Sequence, residues 1–222
     1  EFDNSAALLA AGAGSGTVDG GADSDTIKFT VADTGIVDAD FADVANVETL
    51  QLFGASTAVL ATNATAGGIT KVVTGTGATE IDTAFDLEVD ASALATGATL
   101  TLKDTGTKNY TVTGLVGAIV GSNFAGTLNA TTSNDSGNAI SITTGTGNTT
   151  VNTAAGAADD VVAIDAEAIV DDGSLTITSG AGAAGTVNII NLEGDLTVSN
   201  PTSGIIGVAL SDVTDDGLSI TA

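Results

Sequence analysis

Short runs of four to six β-prone residues recur along this chain at roughly ten-residue spacing, each bounded by Gly, Asn or Asp. Strands that short cannot bury a face alone and must stack on neighbours. Gly20 to Leu52 shows the unit most clearly. Gly20-Gly21 opens a turn, Asp23 and Asp25 follow, and Thr26 to Val31 alternates as a strand. A second acidic cluster, Asp38, Asp40 and Asp43, precedes a run ending in Thr49-Leu50-Gln51-Leu52. Turn, acid and strand then return loosely downstream.

Strands are expected at Ala58–Ala61, Ile69–Val73, Thr79–Asp82, Leu87–Val89, Thr99–Lys103 and Asn109–Thr113, the last two as a hairpin around Gly106. Others fall at Thr127–Ala130, Ala139–Thr143, Thr149–Asn152, Val161–Ile164, Ser174–Thr178, Thr186–Leu192, Asp195–Val198, Ile205–Leu210 and Leu218–Thr221. Ala91–Ala95 reads as a turn of helix and Ser133–Asn138 as an exposed loop. Internal echoes accompany the spacing. Thr74-Gly-Thr-Gly-Ala-Thr-Glu-Ile81 matches Thr144-Gly-Thr-Gly-Asn-Thr-Thr-Val151 at most positions, and Ser174-Leu-Thr-Ile-Thr178 matches Asp195-Leu-Thr-Val-Ser199. A repeated turn plus short strand favours an all-β parallel solenoid, a β-helix or β-roll, with a β-sandwich as the alternative because the period is not strict. Residues 3–16, with the helix-capable Ala6–Ala11, read as an N-terminal arm or cap. Residues 17–222 read as one elongated repeat domain.

Composition agrees with a thin, regularly stacked interior: 29 Gly, one Pro, 3% aromatic residues, and an apolar content made mostly of Ala, Val, Ile and Leu. The formal charge is −24, with Lys28, Lys71, Lys103 and Lys108 the only cations besides the terminus. Such a surface repels nucleic-acid phosphates and anionic membranes, and it repels copies of itself unless cations intervene. A saline or calcium-rich exterior is the expected setting. Cys is absent, so no disulfide framework is expected, and no apolar run reaches membrane-spanning length; Leu115–Val120 is interrupted by glycine. The opening Glu1 reads as the start of a processed or excised chain, and Glu1-Phe2 is set aside from fold reasoning.

Gly20-Gly21-Ala22-Asp23-Ser24-Asp25-Thr26-Ile27-Lys28 follows the calcium nonapeptide G-G-x-G-x-D-x-U-x, with Asp23 where the third Gly belongs. Thr144–Asn152 keeps two glycines and Val151, with Thr149 in place of the Asp; Gly156–Val162 keeps Asp160 and Val162. In these phrases, and in the Asn46-Val-Glu-Thr-Leu50 strand, the chain resembles secreted RTX-type and S-layer bacterial surface proteins. The resemblance implies a calcium-stabilised β-solenoid at the cell surface. The side chains permit the same metal: calcium takes carboxylate and carbonyl oxygens, whereas zinc, copper and iron sites want the His and Cys that are missing. The candidate ligands are Asp23 with Asp25, Asp159 with Asp160, Asp171 with Asp172, and Asp215 with Asp216. The competing reading for each pair is solvated turn chemistry.

Catalysis is poorly provisioned. There is no His for a triad, and paired carboxylates lack the Arg and aromatic platforms that glycoside chemistry uses. Thr-x-Thr phrases at Thr74/Thr76, Thr99/Thr101, Thr111/Thr113, Thr144/Thr146 and Thr176/Thr178 place two hydroxyls on one strand face, as on ice-binding solenoids, or simply mark good strand residues. The expected function is a non-enzymatic, extracellular, self-assembling surface protein with calcium as cofactor. Its partners would be copies of itself and cell-surface polysaccharide. An ice- or carbohydrate-binding adhesin module is the alternative.

Overall fold

The computed structural model describes residues 1–13, 17–104, 107–135, 137–153, 160–169, 173–180, 185–199, 206–211 and 218–221. Among these, the chain winds as a parallel β-solenoid of two large sheets, one 10-stranded and one 8-stranded, with a small 2-stranded sheet at the N-terminal end. Successive strands alternate between the sheets, and each pairs in parallel with the strand one coil before and one coil after. Parallel coil-to-coil pairing excludes the β-sandwich. Coil length varies, from 17 residues between Lys71 and Glu88 to 26 between Thr149 and Leu175, while the inward-facing positions of these pairs stay in register. Corners absorb the difference, which is why the sequence period is loose.

The core lies between the two sheets. Strand residues alternate in and out, as Ser174–Ser179 shows with Leu175 and Ile177 buried and Thr176 and Thr178 half-exposed. Ile27, Leu50, Val72, Val89, Val112, Ala130, Val151, Ile177 and Val198 form one buried column along the axis. Opposite them, Leu100, Ile119, Ile142, Ile164 and Ile189 stack in the second sheet. Like meets like from coil to coil, so medium-sized aliphatic side chains fill the gap without large aromatics. Large aromatics enter it at the N-terminal end, as Phe29 and Phe41, and mid-chain, where Tyr110 meets Phe124 edge to face at 5.1 Å and its hydroxyl donates to the Lys103 carbonyl at 2.9 Å.

At the N-terminal end, helix α1 (Ser5–Ala13) lies against the 3-10 turn Asp38–Phe41, with Leu8 and Phe41 buried. Asn4 Oδ1 accepts the Ala7 N–H, and Asp33 Oδ2 accepts the Ser5 N–H. A second short helix, α2 (Thr62–Gly67), fills a coil corner. No described helix is long and apolar enough to cross a membrane.

Two local expectations differ. The strands Thr99–Asp104 and Tyr110–Leu115 are not a hairpin; they lie in different sheets, because each buries alternate residues toward the other across the interior. Ala91–Ala95 forms a turn without helix.

Candidate functional site

Several acidic residues sit at coil corners immediately before a strand, among them Asp25, Glu48, Asp86 and Asp160. Asp25 precedes the strand Thr26–Lys28; its N–H donates to Glu48 Oε2 at 2.9 Å, and its carbonyl accepts the Thr49 N–H. Its Oδ2 is buried and has no hydrogen-bond partner. Asp23, two residues earlier, stands in solvent. Asp160, at the equivalent place before the strand Val161–Asp165, is buried at 2% exposure. Its Oδ1 accepts the Asn138 N–H at 2.7 Å, while Oδ2 is left without a partner. Burial pushes the Asp160 pKa up, and the nearby Asp135 charge adds to that, against hydrogen bonds from Asn138 and Gly137.

Asp25 and Asp160 therefore share a feature that the aligned phrases Gly21–Ile27 and Gly156–Val162 hint at: a carboxylate oxygen turned into the corner and lacking a donor. Each has a second carboxylate on its corner, Glu48 or Asp135. Such hard oxygens suit calcium, which takes six to eight of them. Among the described residues no three Asp or Glu converge on one point, so a cation there would complete its shell with carbonyls and water. Of the remaining candidate ligands, Asp159, Asp171, Asp172, Asp215 and Asp216 lie outside the described residues.

The acids of the second cluster serve the backbone instead. Asp38 accepts the N–H groups of Ala61, Asn63 and Ala64 at 2.7–3.0 Å, thereby closing the N-terminus of α2 from the neighbouring coil. Burial opposes ionisation of Asp38, but these three bonds outweigh it and hold its pKa below the ordinary carboxylate value. Asp33 shows the same balance, with Ser5 and Gly35 as its donors. Asp40 Oδ2 accepts the Val37 N–H. Sequence reading grouped Asp38, Asp40 and Asp43 by spacing alone; nothing local marks a carboxylate whose donors lie a full coil away.

The outer faces of the two sheets differ. On the 10-stranded sheet the register puts Thr111, Asn129, Thr150, Thr176, Thr197 and Ser219 in one outward file. Thr131, Asn152, Thr178 and Ser199 form a second file beside it. Upstream, the first file continues as Glu88 and Lys71, which form an ion pair at 2.8 Å. On the 8-stranded sheet the matching file reads Thr57, Glu80, Thr101, Val120, Thr143, Asp165 and Ile190, with no uniform chemistry.

No protein-family model, no curated protein and no solved structure matches this chain.

Of the Thr-x-Thr phrases, Thr111/Thr113 and Thr176/Thr178 lie on the strands of the 10-stranded sheet, and Thr99/Thr101 on a strand of the other. Thr74 and Thr144 are buried at corners instead. There the Thr-Gly-Thr-Gly echo is explained by crowding: a Cβ on Gly75 would collide with the Gly54 backbone, and one on Gly145 with the Phe124 carbonyl. Asn129/Thr131, Thr150/Asn152 and Thr197/Ser199 were missed as pairs, because only the register shows that Asn and Ser substitute for Thr in the same files. Side chains also extend the ladder past the strand ends: Asp86 Oδ1 accepts the Asn109 N–H, Asn109 Oδ1 the Thr127 N–H, and Asn148 Oδ1 the Ser174 N–H. Asn109 and Asn148 are thereby engaged in joining coils.

Proposed function

We infer that this chain is a non-enzymatic structural module of an RTX-type or S-layer-like bacterial surface protein. It stands outside the cell and assembles with copies of itself into a layer or filament, with calcium at its acidic corners and cell-surface polysaccharide as a second partner. The observation that carries this reading is the parallel stack itself. Its backbone hydrogen bonds run from coil to coil, so an axial pull must break a whole layer of them together. A rod of that kind suits a scaffold or spacer. The carboxylate oxygens of Asp25 and Asp160 that lack donors favour a bound cation, which would relieve the cost of burying unpaired charge. At −24, contact between copies needs cations at the rims that meet.

The test is calcium. Thermal melting in chelator and in millimolar calcium, at matched ionic strength, should show a higher midpoint with calcium, since a ligand of the folded state alone stabilises by mass action. Electron micrographs of the same samples should show layers or filaments only with calcium. Equal midpoints would remove calcium from the reading, and monodisperse particles in both conditions would remove assembly.

A further inference from the structure

We propose that the outer face of the 10-stranded sheet, from Thr111 to Ser219, is an ice-binding surface that holds an ordered layer of water. The observation goes beyond the assembly reading and does not depend on it. Six consecutive strands present Thr111, Asn129, Thr150, Thr176, Thr197 and Ser219 in one file, and the parallel file from Thr131 to Ser199 runs beside it. The register is continuous from the strand Leu128–Thr132 to Leu218–Thr221, so the array has no step in it. The shift in the preceding pair falls between Val112 and Leu115, beside Gly114 at φ +68°, and leaves Thr111 opposite Asn129.

Parallel pairing sets the geometry. Neighbours in a file are about 4.8 Å apart, and the two files are separated by two residues of strand, about 6.6 Å. The spacing along a file lies near the basal-plane oxygen repeat of hexagonal ice, and the spacing across the files is somewhat shorter than the axial one. The chemistry fits as well. Threonine offers a hydroxyl that can join a water network and a methyl that orders the water beside it, and its branched side chain has few rotamers. No hydroxyl or amide of these file residues up to Ser199 has a hydrogen-bond partner within the described chain, so all are free for solvent.

Charge selects the occupant. The whole chain carries −24, yet these two files contain no ionisable side chain; the acids lie at the borders, for example Asp195. A neutral, rigid, two-dimensional lattice of hydrogen-bonding groups complements a neutral lattice of water. It offers nothing to a charged partner, and it lacks the aromatic platforms on which sugars stack. The irregular file on the opposite sheet supplies an internal control.

The experiment measures inhibition of ice recrystallisation by the 222-residue chain in buffer with chelator, beside Thr176→Lys and Ser141→Lys. Thr176 sits mid-file, whereas Ser141 points outward from the 8-stranded sheet. Circular dichroism melting of each confirms that the solenoid is intact. Inhibition at micromolar protein is expected, with T176K requiring roughly tenfold more and S141K matching the parent. No inhibition by the parent chain, or equal inhibition by parent and T176K, overturns the proposal. Binding to insoluble polysaccharide that T176K abolishes, without any effect on ice, assigns the face to a glycan and also overturns it. A change in sedimentation confined to T176K would do the same in favour of a second copy. Assembly in calcium can fail while this result stands, and the reverse.

Discussion

Asp160 sets a carboxylate in the interior with one oxygen unpaired. Burial raises its pKa above the ordinary 3.8, so folding prefers the protonated form. The contribution of this group is therefore full below pH 3.8 and is lost as pH rises through the folded value. Asp33 and Asp38 have the opposite sign: their pKa values are lowered, and their contribution is present above 3.8 and lost as pH falls through the folded values. Replacing Asp160→Asn keeps an acceptor for the Asn138 N–H and removes the charge. In chelator at neutral pH the variant should melt higher than the parent, and the gap should narrow as pH drops through the raised pKa. In calcium the order should reverse if Asp160 is a ligand. Melting curves across pH, with and without calcium, check both halves, and a constant gap at every pH would remove desolvation as its cause.

Among the elements, α2 depends least on its own sequence. Thr62–Gly67 spans six residues, too short to be stable alone, and the residue before it, Ala61, offers no side-chain cap. Asp38, from the preceding coil, satisfies two of its N-terminal N–H groups, on Asn63 and Ala64, and that of Ala61 before it. Asp38→Ala should therefore cost about 1–2 kcal/mol, the scale of a lost N-cap, and Asp38→Asn less because one oxygen still accepts. Urea midpoints at constant m-value measure this. An unchanged midpoint for Asp38→Ala would mean that water replaces the carboxylate without loss.

At the scale of the molecule, stability in a solenoid is a sum over neighbouring coils. Val151 sits in the buried axial column, between Ala130 and Ile177 in register. Val151→Pro removes a ladder donor from a strand with a partner on each side. Amide hydrogen exchange should lose protection in the coils around Ala130 and Ile177, while the coils from Ile27 to Val89 stay protected. Uniform loss along the whole chain would show instead that the solenoid opens as a single cooperative unit. The ion pairs add little to this balance. Lys71–Glu88 and Lys103–Glu80, both at 2.8 Å, are partly exposed and lie on outer faces where solvent screens them.

The class of fold was legible because it rests on local chemistry. Alternation such as Leu175-Thr176-Ile177-Thr178 states which residues face inward, and glycines such as Gly75 and Gly145 mark corners whichever coil they later touch. The buried Asp160, with one carboxylate oxygen lacking a donor, was also within reach, from a motif position followed by a β-branched strand. Partnership across coils was not. Coils of 17 to 26 residues keep their inward-facing positions in register only because their corners differ in length, and corner length is decided by what the next coil needs. Hence the hairpin expected at Gly106, the unforeseen α2 closed by Asp38, and the two polar files that scattered Thr, Asn and Ser compose. Side-chain alternation is a property of a strand by itself, whereas a file exists only between strands. Local sequence therefore determined which way each residue points, and tertiary register alone decided beside what.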